Sequence, residues 1–110
     1  MTARPKGHYV RSEALREAYR LIPCQHCGAE DGTVVGAHAN WSAFGKGMAL
    51  KASDDRVASL CSLCHHQLDQ GFLWDREQKR SIWEVAHKRT VTRLVEMGLW
   101  PARVPLPEPL

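Results

Sequence analysis

Two pairs of cysteines, Cys24-x-x-Cys27 and Cys61-x-x-Cys64, share one internal spacing, and thiolates spaced in this way are ligands for zinc. Together the pairs can close a tetrahedral site of four sulfurs with no position left for water, so the chemistry expected is a structural Zn2+ that braces the fold. Two other readings of the pairs exist. A thioredoxin-like redox pair requires a βαβ setting, which neither pair has. Cys61-Ser-Leu-Cys64-His65 also fits the C-x-x-C-H attachment sequence of c-type haem, but that leaves the first pair unexplained.

More chemistry lies beside the second pair. If the residues from Cys64 onward are helical, His65 and Asp69 share one face and His66 lies on the next. An imidazole and a carboxylate together can hold a second divalent ion with positions open to water and phosphate, as a catalytic ion requires. His38 stands where a hairpin would bring it opposite this helix, and a neutral imidazole there can take a proton from an attacking water. Asp54 and Asp55 either add a ligand or orient His38, and spacing does not choose between them. The plainer reading is that His65 and His66 flank a zinc knuckle, Asp69 caps or solvates its helix, and the loop carboxylates face water.

These groups need elements to carry them. Val10 to Ile22 repeats apolar residues every three or four positions, which predicts an amphipathic helix with Ser12 as its cap, stopped by Pro23. Cys24 to Gly32 reads as a tight knuckle. Thr33 to His38 and Arg56 to Leu60 read as an antiparallel pair of strands. The segment between them, Ala39 to Asp55, shows no sustained period and reads as a long functional loop. Cys61 to Gly71 reads as a second knuckle running into a short helix. Arg76 to Met97 reads as the longest helix, its buried side drawn from Ile82, Trp83, Val85, Ala86, Val91, Leu94 and Val95, with Gly98 and Pro101 ending it.

With 110 residues, 44% hydrophobic and 25% charged, the chain suits one small soluble domain, expected over residues 1–103 with a proline-rich tail over 104–110. No apolar run is long enough to cross a bilayer, so no membrane partner is expected. Met1 to Val10 shows no apolar stretch after its basic residues, which predicts no secretory signal and a cytoplasmic protein. The formal charge of +3 is mildly basic and settles nothing alone. Its distribution says more. Lys46, Lys51 and Arg56 lie in and after the loop, where they can meet backbone phosphates, and Lys79, Arg80, Lys88 and Arg89 form a stripe on the long helix. Trp41 and Phe44 either enter a groove or pack beneath the loop.

The order of these features, a cysteine pair, Ala37-His38 closing a strand, a loop, a second strand and Cys61-x-x-Cys64-His65 opening a helix, resembles the HNH endonucleases. Gly45 to Gly71 looks more closely like the small phage and prophage YbcO-like nucleases of that superfamily. The resemblance spans about Cys24 to Gly71 and implies an α+β fold. Its core would be a ββα-metal (HNH-like) hairpin and helix, braced by the four-cysteine zinc and flanked by N- and C-terminal helices. It implies hydrolysis of DNA phosphodiester bonds, with His38 as general base and His65 and Asp69 holding the ion. That ion would be Mg2+ or Mn2+, with Zn2+ or Ni2+ also admitted by the imidazole. DNA in a bacterial host cell is the implied substrate, and a homodimer would let so small a nuclease cut both strands. The pattern departs from the family in two places. Ala37 stands where many members have His or Asp, and Asp54, Asp55 and Arg56 stand where the middle Asn is usual. A zinc-stabilised DNA-binding module without hydrolytic chemistry is the alternative.

Overall fold

The computed structural model describes residues 10–38 and 53–107. The expectations placed on Trp41, Phe44, Lys46 and Lys51 lie outside the described residues. The architecture is α+β, with a two-stranded antiparallel sheet and three α-helices.

Helix α1 spans Glu13–Ala18 and continues as a 3-10 turn over Tyr19–Leu21. It starts later than the apolar period suggests because the backbone of Val10 is already committed. Its N–H donates to Ser53 Oγ at 2.9 Å and its carbonyl accepts from the Asp54 N–H at 2.9 Å. Ser12 is the cap, its hydroxyl accepting from the Leu15 N–H at 3.1 Å, which satisfies one of the free amides of the first turn.

Strand β1 runs Val35–His38 and β2 runs Val57–Leu60, in the register Val35 with Leu60 through His38 with Val57. β1 begins after Thr33 because the Asp31 carboxylate takes both the amide and the hydroxyl of that residue, at 3.0 and 2.6 Å, a local bond that competes with strand pairing. Gly36 has a packing reason. A Cβ there would lie 2.7 Å from Val57 Cγ1 and 3.1 Å from the Tyr19 ring, so its absence lets α1's extension close on the sheet.

Helix α2, Ser62–Asp69, has Cys61 at its N-cap with no side-chain capping bond, and the Thr33 hydroxyl instead accepts from the Ser62 N–H at 2.9 Å. Helix α3, Arg76–Glu96, opens on a reciprocal capping box between Asp75 and Gln78. Gly98 ends its turn at φ 70°, a conformation that favours glycine.

The buried side of α3 is Trp83, Ala86, His87, Thr90 and Leu94, whereas Val85 and Val95 are each 46% exposed. The expected stripe is therefore rotated: the sheet accepts two polar side chains, His87 and Thr90, because each finds a hydrogen bond there. One apolar cluster joins the cysteine end of the hairpin to Leu68, Trp83 and Ala86. A second joins Leu15, Tyr19, Ile22, Val57 and Leu94. Val104 packs on this second cluster, and its carbonyl accepts from the Trp100 indole at 2.8 Å.

Candidate metal centre and histidine site

The four cysteines meet at one end of the hairpin, one pair entering β1 and the other leaving β2. Cys24 and Cys27 precede β1, where the Gly28 N–H donates to the Cys24 carbonyl at 2.9 Å and turns the chain. Cys61 and Cys64 follow β2. The knuckle is tied to the sheet by the Gln25 N–H donating to the Ser59 carbonyl at 2.8 Å. All four sulfurs lie within 4.8 Å of one another, with Cys27 and Cys61 Sγ 3.6 Å apart, and none forms a disulfide. Cys24, Cys61 and Cys64 are buried and Cys27 is exposed.

The electrostatics favour a cation. Burial raises the Cys24 thiol, but the backbone amides of Cys27, Cys61 and His26 outweigh it and bring the thiol down to about 7. Cys64 is pushed well up, first by burial and then by the neighbouring thiols. A divalent ion among the sulfurs reverses that penalty. A closely spaced, largely buried set of four soft donors fits Zn2+, and Cys24, Cys27, Cys61 and Cys64 would hold it.

At the other end of the hairpin, His38 Nε2 lies 3.3 Å from Asp54 Oδ1, with the imidazole about one-third exposed. Asp54 is 3% exposed and firmly held. Its Oδ2 accepts from the Ser12 N–H at 2.9 Å and from Arg16 Nη1 at 2.7 Å, and its carbonyl accepts from the Tyr19 hydroxyl at 2.6 Å. Asp55 instead accepts from Ser53 Oγ at 2.5 Å. Of the two carboxylates that spacing left open, Asp54 is the one in contact with His38, and both of its oxygens are engaged by protein groups.

On α2, His65 Nε2 and Asp69 Oδ2 are 3.2 Å apart, each side chain about one-third exposed. Among the described residues, the cysteines are the one group of three or more potential ligands close enough to share an ion. The expected second set of His65, Asp69, Asp54 and Asp55 is therefore not brought together as a single cluster. It appears as a His65–Asp69 pair on α2 and a His38–Asp54 pair at the hairpin end. The reason is visible: Ser12, Arg16 and Ser53 draw the two aspartates toward the start of α1. Arg56 also departs from expectation. It is 5% exposed, so its guanidinium is not the open phosphate contact that its charge suggests.

Two residues on α3, His87 and Thr90, escaped the sequence reading, as did the hydrogen bond made by Trp83. Trp83 Nε1 donates to the Ala37 carbonyl at 2.9 Å, and His87 Nδ1 lies 2.9 Å from the Val57 carbonyl. Their rings stack with centroids 4.9 Å apart. Thr90 Oγ1 accepts from the Ser59 N–H at 3.0 Å and donates to the Ala86 carbonyl at 2.7 Å. Ala37 precedes His38, and Val57 is its cross-strand partner, so α3 fixes the backbone on both sides of that imidazole. The spacing of 83, 87 and 90 was readable as a helical face, but His and Thr carry no apolar signal.

No protein-family model, no curated protein and no solved structure matches this chain. Among the described residues, no helix is long and apolar enough to cross a membrane.

Proposed function

We propose that the chain is an HNH-type, phage-derived endonuclease that hydrolyses DNA phosphodiester bonds in the cytoplasm of a bacterial host. In this reading β1, β2 and α2 are the ββα-metal core and the four cysteines hold a structural Zn2+. The observation that carries it is the His38–Asp54 contact, a partly exposed imidazole held by a buried carboxylate. With Asp54 accepting at Nε2, that nitrogen carries the proton and the tautomer leaves Nδ1 as the free acceptor. His38 then takes the proton of the attacking water at Nδ1, and the imidazolium formed is stabilised by the Asp54 charge.

His65 and Asp69 are the groups suited to hold Mg2+ or Mn2+, with Zn2+ or Ni2+ compatible with the imidazole. When bound there, the ion supplies charge stabilisation to the phosphate and the leaving 3′ oxygen. Lys46, Lys51 and other cationic groups contact flanking phosphates.

A second reading, a zinc-stabilised DNA-binding module without hydrolysis, is favoured by one observation: two protein ligands, not three, meet on α2 among the described residues. Incubating the zinc-loaded protein with supercoiled plasmid and each of the four ions separates the readings. Nicked or linear product supports the nuclease, and intact plasmid with retained DNA binding supports the module.

A further inference from the structure

Beyond the hairpin, α3 presents a second face. A groove of about 350 Å³ runs between this helix and the first cysteine knuckle, lined by Gln25, Lys88, Arg89, Thr92, Arg93 and Glu96. Lys88, Arg89, Arg93 and Glu96 leave it with a net positive charge. The basic groups occupy successive turns, whose pitch is about 5.4 Å.

Some cations elsewhere among the described residues are committed. Arg80 pairs with Glu84, and Arg16 with Asp54. Among the described residues, Lys88, Arg89 and Arg93 have no carboxylate within ion-pair distance, and Arg89 makes only a long 3.4 Å bond to the Gln25 carbonyl. Thr92 and Gln25 add neutral polar groups, and the lining contains no aromatic or aliphatic anchor of the kind protein interfaces use.

The groove also has a fixed relation to the candidate site. Contacts from α3 step along the hairpin from Ala37 at Trp83, to Val57 at His87, to Ser59 at Thr90. The groove residues therefore continue toward the cysteine end, with Arg93 about 15 Å further along the helix than Trp83.

We propose that this groove binds the phosphate backbone of a nucleic-acid duplex, through Lys88, Arg89 and Arg93, at a position removed from His38. It rests on the nucleic-acid reading above but not on hydrolysis, because the same contacts serve a nuclease or a pure binder. Backbone contacts of this sort give affinity without sequence preference and weaken as salt displaces them.

The test measures anisotropy of a labelled 20-base-pair duplex with the full-length, zinc-loaded protein, without added Mg2+ or Mn2+, across a salt series. The triple variant Lys88→Gln/Arg89→Gln/Arg93→Gln is expected to weaken binding by at least tenfold and to lower the slope of log affinity against log salt by about 2 to 3. A control triple, Arg20→Gln/Arg76→Gln/Arg103→Gln, removes the same charge elsewhere and is expected to keep the wild-type slope. Circular dichroism and zinc content confirm that both variants fold. Equal weakening by the two triples shows bulk charge alone and overturns the groove. An unchanged slope in the groove triple, with wild-type binding intact, overturns it while leaving the nucleic-acid reading standing. Binding of polyglutamate but not of the duplex overturns both, and assigns the groove to an acidic protein.

Discussion

His38 Nε2 and Asp54 Oδ1 lie 3.3 Å apart, which closes with one side-chain contact the segment joining the two strands. Because Asp54 is also held by the Ser12 amide and Arg16, the imidazole takes its orientation from α1 as well as from the hairpin.

Replacing the imidazole removes the proposed base while leaving the rest of that network bonded. His38→Ala is expected to lower metal-dependent cleavage by roughly 10²- to 10⁴-fold and to leave zinc content and melting temperature close to wild type. Plasmid nicking, metal analysis and thermal melting measure the three. Cleavage at the wild-type rate would remove His38 from the chemistry.

Asp54 has more to lose. Asp54→Ala removes a buried carboxylate that bonds the half-exposed Arg16 and the Ser12 amide, at an expected cost of about 1 to 3 kcal/mol. Urea denaturation gives this directly. A change within experimental error would mean that water replaces the carboxylate without penalty.

The cysteine cluster is expected to bind one zinc per chain and to contribute a large part of the folding free energy, as structural sites in small domains do. Stripping the ion with a strong chelator, or making Cys61→Ser, should therefore abolish the cooperative thermal transition seen by circular dichroism. A metal-free chain that melts like the wild type would reduce the cluster to a packing feature.

Trp83→Phe deletes the indole N–H that bonds the Ala37 carbonyl while keeping an aromatic ring against His87. The expected loss of stability is about 1 to 3 kcal/mol, read from chemical denaturation. Zinc content should be unaffected. A neutral result would show that the strand partner alone satisfies that carbonyl.

His87 carries a pH dependence. Burial lowers its proton affinity below the ordinary histidine value of 6.5 and outweighs the bond to Val57, which acts to raise it. Above that value both folded and unfolded chains hold it neutral, and its contribution to stability is complete. As pH falls below it, the unfolded chain takes up the proton first, so stability declines until the folded form protonates as well. Melting temperature should therefore drop between pH 7 and pH 5, and His87→Asn, which keeps a donor for Val57 but does not titrate, should show a shallower drop. Parallel pH profiles would assign the decline to other groups.

Much of this arrangement is readable from the chain. Paired spacing alone brings Cys24, Cys27, Cys61 and Cys64 together, because a shared ion demands four donors, and alternation with turn residues locates the hairpin that separates them. Boundaries were less legible. Thr33 is β-branched, yet Asp31 withdraws its amide from the strand, and Val10 fits a helical period although Ser53 and Asp54 claim its backbone. The choice between Asp54 and Asp55 was beyond sequence spacing, since it depends on where α1 sets Arg16. The polar side of α3 was hidden for a related reason: His87 and Thr90 are buried by virtue of partners on β2, and those partners appear only once the strand is in place.

The two cysteine pairs flank the hairpin in sequence, with 33 residues between Cys27 and Cys61. If the cluster captures zinc, the first pair emerges from the ribosome with half a coordination sphere and waits for the second, and the entropic cost of closing so long a loop falls on the same step as metal capture. Chains made when zinc is scarce would then leave synthesis with the two halves untied and exposed to proteases.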